Sequence, residues 1–167
     1  MKRTTTFSLF TVAAALVLAS FAPAQDSSVR ATADQDQVQA SVLSLGKGVS
    51  AKGAAGPGLY STLPVVGSKV TMILARLTPA SSGMLYMGPR TTTPAKLSNG
   101  GVFYLDLYQF KNWAAVPYAA SESGFWSWQY TVPDSPELAG LTLTFQTLGF
   151  PSGQVEVSNA LVCTVGY

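Results

Sequence analysis

From Leu141 the chain reads Leu-Thr-Leu-Thr-Phe-Gln, apolar and polar residues in strict alternation. A period of two is the repeat of an extended strand, whose side chains point to opposite faces in turn. An amphipathic helix needs a repeat near 3.6, so this segment is not one. The same period returns elsewhere. Phe103, Leu105 and Leu107 oppose Tyr104, Asp106 and Tyr108, while Trp126, Trp128 and Tyr130 run in phase into Val132. Further apolar runs stand at residues 69–77, 84–87, 155–157 and 160–165. β-branched and aromatic residues fill the runs, and Gly, Pro, Ser and Asn fill the gaps. One segment alone reads helical: Asp134 or Ser135 as cap, Pro136 at the first helical position and Gly140 as the stop. The pattern predicts one all-β domain over residues 42–167, an antiparallel β-sandwich with at most one short helical turn. Gly46, Gly48, Gly53, Gly56, Pro57 and Gly58 make its first part irregular.

The N-terminus carries a different signature. Lys2 and Arg3 precede an apolar run over residues 7–21, and Ala22-Pro23-Ala24 follows with small residues in an A-x-A arrangement. These are the parts of a secretory signal peptide, a helical segment expected over residues 1–24. The run is short for a membrane span, and no later stretch is long and apolar enough for one. Without a cysteine after the run there is no lipoprotein anchor. The expected compartment is secreted or periplasmic. Residues 25–41 form a polar leader without aromatic residues, read as flexible. Asp34 and Asp36 lie in it without a third nearby carboxylate, too few oxygens for a calcium loop.

Composition then excludes whole classes of chemistry. The chain has no histidine and one cysteine, which removes Ser-His-Asp and Cys-His triads, the usual zinc sites and any disulfide within the chain. Only 11% of residues are charged. Cleavage after Ala24 would remove Lys2 and Arg3 from 10 basic residues and leave the 8 acidic ones, a formally neutral chain. Neutrality without a basic stripe gives no footprint for nucleic acid. Asp106, Glu122, Asp134, Glu137 and Glu156 are scattered and form no evident glycosidase pair. No Ser-x-x-Lys is present. These absences point to a non-catalytic protein with neither cofactor nor metal.

The C-terminal third adds a resemblance. Val132-Pro-Asp-Ser-Pro-Glu-Leu-Ala-Gly-Leu-Thr-Leu-Thr-Phe-Gln146, followed by Val157-Ser-Asn-Ala-Leu-Val-Cys-Thr-Val-Gly166, resembles a C-terminal module of secreted bacterial proteins. Leu63-Pro-Val-Val-Gly67, Leu105-Asp-Leu107 and Gly46-Lys-Gly48 are weaker matches. The resemblance covers residues 46–166 and implies an immunoglobulin-like sandwich without an assigned molecular function. That family commonly has Cys where Val49 stands, with a partner near residues 110–120, and this chain has neither.

Three groups of residues invite a functional reading. Tyr104, Asp106 and Tyr108 would share the wet face of a strand whose core face is Phe103, Leu105 and Leu107. Rings for stacking and a carboxylate for hydroxyl groups could then bind a carbohydrate, with Trp113 extending the site. The competing reading is an ordinary solvated sheet face. Trp126, Trp128 and Tyr130 could form a sugar platform, but their parity with Val132 favours the core. Cys163 alternates with Leu161 and Val165, which favours a buried thiol over a bridge between chains. The sequence therefore reads as an exported β-sandwich module with a structural or protein-interaction role, its partner an unidentified protein or glycan. The alternative is a carbohydrate-binding domain using the Tyr-Asp-Tyr face.

The processing site gives the first prediction. N-terminal sequencing of secreted material should begin at Gln25, and a retained Met1 would exclude both cleavage and export by this route.

Overall fold

The computed structural model describes residues 38–167, so the expected signal peptide and most of the polar leader lie outside the described residues. Eleven strands follow in order: β1 (Ser41–Leu45), β2 (Gly58–Ser61), β3 (Lys69–Ala75), β4 (Ser82–Gly88), β5 (Arg90–Lys96), β6 (Val102–Leu105), β7 (Ala114–Ala119), β8 (Trp126–Thr131), β9 (Thr142–Gly149), β10 (Glu156–Val157) and β11 (Ala160–Thr164). Three 3-10 segments stand in loops, at Leu107–Asn112, Pro136–Leu138 and Pro151–Gly153. The second of these is the turn read from Pro136, with Ser135 at its N-cap.

The strands form an all-β sandwich of antiparallel sheets. A six-stranded sheet runs β1-β11-β9-β4-β7, with β10 also paired to β9. A three-stranded sheet, β2-β3-β8, packs on one of its faces. The core between them joins Leu59, Met72 and Leu74 from the small sheet to Leu85, Tyr118, Phe145, Leu161 and Cys163 from the large one. Strict alternation in β3 and β8 produces this: one parity goes inward and the other remains wet or half-wet. A smaller cluster, Val70, Val132 and Val165, continues it towards the Pro136 turn.

The far face of the large sheet departs from the sequence reading. Alternation puts Thr144 and Gln146 on the polar face of β9, the face a two-layer sandwich leaves to solvent, yet both are fully buried. A third layer, the β5–β6 hairpin, lies over them. Phe103 and Leu105 of β6 and Val157 of β10 pack there with Tyr86, Trp113 and Leu148. The alternation correctly divided β9 into two faces, but burial of the second face depends on a distant hairpin.

Burying Gln146 requires partners for its amide. Its Oε1 accepts from Tyr104 N at 2.9 Å, while Nε2 donates to Val102 O at 2.8 Å and Ser158 O at 2.9 Å. Asn159 holds the other packing contact. Its Oδ1 accepts from Leu59 N at 2.7 Å, and Nδ2 donates to Leu59 O at 3.0 Å and Ser44 Oγ at 2.9 Å. Between them the two amides tie the small sheet, the large sheet and the hairpin together. Ser158 adds a bond from Thr147 N to its Oγ and a donation to Asn159 O.

The glycine-rich segment fits the same scheme. It doubles back so closely that a Cβ on Gly48 would overlap Pro57 O, and one on Gly56 would strike Val49 and Ser50. Only glycine permits two backbones to approach in this way.

Replacing Gln146 tests the staple. Gln146→Leu keeps similar bulk but leaves a buried N–H and two carbonyls without their partner. It should cost roughly 3–5 kcal/mol in urea unfolding. Hydrogen exchange should accelerate first at Tyr104. An unchanged unfolding midpoint would show that water replaces the amide.

Candidate functional site

The expected Tyr-Asp-Tyr face is not a strand face. β6 ends at Leu105, and Asp106 caps the 3-10 segment that follows. Its Oδ1 accepts from Tyr108 N at 3.0 Å and its Oδ2 accepts from Gln109 Nε2 at 3.1 Å. That cap turns the chain before Leu107 reaches the core, so Leu107 is exposed while Phe103 and Leu105 are buried. The alternation across residues 102–108 runs past the real end of the strand because a side-chain cap, not a Gly or Pro, stops it.

The four residues therefore part company. Tyr104 is half-buried under the glycine-rich segment, where a Cβ on Gly46 would come within 2.7 Å of its hydroxyl. Both Asp106 oxygens are engaged in the cap. Trp113 packs inward, 5.7 Å from both Tyr86 and Phe103 between ring centroids, and donates from Nε1 to Asp106 O at 3.1 Å. Tyr108 alone is free, 92% exposed, with Phe110 at 71% and Leu107 at 53% beside it in sequence. What the segment presents is a short apolar tip. The sequence offered a clue in Leu-Tyr-Gln-Phe, whose apolar residues no longer keep a period of two.

Trp126, Trp128 and Tyr130 pack against the main core. Trp128 stacks on Tyr130 at 4.9 Å, Tyr130 lies 6.2 Å from Phe145, and Trp126 lies 5.9 Å from Tyr118. Cys163 is buried, and desolvation pushes its thiol up to about 12, with a Ser61 hydrogen bond opposing.

Sequence reasoning missed Glu156, a carboxylate with 1% exposure. Thr78 holds it, donating from Oγ1 to Oε2 at 2.8 Å and from its backbone N to Oε1 at 3.4 Å. Burial raises the Tyr118 hydroxyl pKa above its ordinary range, and the Glu156 charge raises it further. Glu156 thus fastens the β3–β4 loop to β10. Among the described residues no group of three or more His, Cys, Asp or Glu side chains could hold a metal ion. No helix among them is long and apolar enough to cross a membrane.

The polar residues of the C-terminal pattern have definite places. Gln146, Ser158 and Asn159 are buried and bonded to backbone, so this part of the pattern builds the frame. Comparison with protein-family models, curated proteins and solved structures finds no match to this chain.

Cys163 supplies a pH prediction. The unfolded thiol ionises near 9.0 while the folded one keeps its proton to about 12. Above pH 9 unfolding then releases a proton, so this contribution to stability is complete below about 9 and declines as pH rises towards 12. Tyr118 and Tyr130, both raised by burial, act in the same direction. The urea midpoint should fall between pH 8 and 11, and Cys163→Ala should show a shallower fall than the native chain. Equal slopes would remove the thiol from the effect.

Proposed function

We propose that the chain is an exported, non-catalytic β-sandwich module with a structural or protein-interaction role in the cell envelope or outside the cell. Export rests on the residue 1–24 pattern of basic start, apolar run and Ala-Pro-Ala exit. The observation that carries the module reading is the use made of four buried polar side chains. Gln146, Ser158, Asn159 and Glu156 are all engaged in joining layers and loops. A reaction centre ordinarily keeps such groups directed into a cleft. The resemblance to a module of secreted bacterial proteins supports the same reading.

Of the four residues of the carbohydrate alternative, Tyr108 alone presents an exposed ring. A glycan array separates the two readings. The module reading expects no glycan to bind through Tyr108, whereas binding lost in Tyr108→Ala would transfer the assignment to carbohydrate recognition. For export, fractionation of expressing bacteria should place the chain outside the cytoplasm, and retention inside would overturn that part.

A further inference from the structure

We infer that the outer layer of the sandwich is a docking surface for an anionic lipid bilayer, with the tip at Leu107, Tyr108 and Phe110 entering the interface. This goes beyond the module reading and does not depend on it. Formal neutrality of residues 25–167 conceals a segregation of charge. The glycine-rich segment, the β5–β6 hairpin and the 3-10 segment after it carry Lys47, Lys52, Arg90, Lys96 and Lys111, all exposed. Their single carboxylate is Asp106, already engaged by Tyr108 N and Gln109. The other acids of the described residues, Glu122, Asp134, Glu137 and Glu156, belong to the rest of the sandwich, with Lys69 and Arg76.

The tip lies at one end of this cationic layer, with Arg90 and Lys111 nearest to it and Lys96 opposite Val102 at the other end of the hairpin. Lys111 belongs to the same 3-10 segment, and Arg90 stands opposite Leu105, where β6 leads into it. Leu107 and Phe110 have no polar atoms on their side chains, and Tyr108 has an apolar ring with a polar end. Such groups are suited to the boundary between headgroups and acyl chains, while nearby Lys and Arg are attracted to anionic headgroups. A soluble polyanion would complement the cations but leave Leu107 and Phe110 in water, so the bilayer accounts for both features.

A probe at the tip tests this in the full chain. Tyr108→Cys can be labelled with an environment-sensitive nitrobenzoxadiazole dye, because Cys163 is buried. Titration with vesicles of phosphatidylglycerol and phosphatidylcholine in equal parts should raise and blue-shift the emission. Vesicles of phosphatidylcholine alone should not. An apolar N-terminal segment preceded by Lys2 and Arg3 would itself favour the anionic vesicles, so charge reversal near the tip is what separates the two. Arg90→Glu with Lys111→Glu should weaken the response at least about tenfold. Added salt should weaken the native response without any substitution. Unchanged emission, an equal response to both vesicles, or indifference to the charge reversal would each overturn the proposal. So would heparin binding with the same charge dependence when the anionic vesicles produce no response.

Discussion

The side-chain amide of Gln146 is the interaction on which the layered arrangement depends. A sheet buried on both faces needs something to hold its second cover in register, and apolar contact alone has no direction. Gln146 provides direction by bonding both Val102 O and Tyr104 N of β6, as an additional strand would. Removing it would leave an N–H and carbonyls facing a dry interior, so the cost falls on the unfulfilled partners as much as on the lost bonds. Asn159 repeats the device at the other packing contact, where it mimics a strand neighbour for Leu59. Both residues lie in the C-terminal third of the chain.

These staples set what remains available for recognition. Because the hairpin is held by its inner edge, β5 is largely exposed and its cations face water. Because Asp106 stops β6, three apolar residues are carried outward. The segments closest in sequence to the framework motifs are acidic or neutral, while the covering segments are basic.

Period-two alternation made the sandwich legible, and it assigned β3, β8, β9 and β11 to their places. It also put Trp126, Trp128, Phe145 and Cys163 on the core side. It was silent on β1, β2, β5 and β7. Arg-Thr-Thr-Thr-Pro-Ala-Lys has too few apolar residues to show a period, and Ala-Ala-Val-Pro-Tyr-Ala has a proline, which is tolerated because β7 is an edge strand. The candidate site was legible in its residues and not in its geometry. Tyr104, Asp106, Tyr108 and Trp113 are close along the chain, but a carboxylate cap sends them in different directions. Local parity cannot register a cap, nor can it show that Thr144 and Gln146 face a hairpin forty residues away in sequence.

β1 and β11 form an antiparallel pair from Ser41 opposite Thr164 to Leu45 opposite Ala160. Just beyond it Tyr167 N donates to Val38 O at 3.0 Å. The two chain ends of the sandwich therefore emerge side by side. Tension that separates them acts across the ladder and opens its bonds one at a time, like a zip, instead of shearing them together. The first strong resistance comes at Ser44, whose Oγ accepts from Nδ2 of Asn159, in the β10–β11 connection of the same sheet. Mechanically, the β1–β11 pair is a clasp, closed at rest and yielding under load.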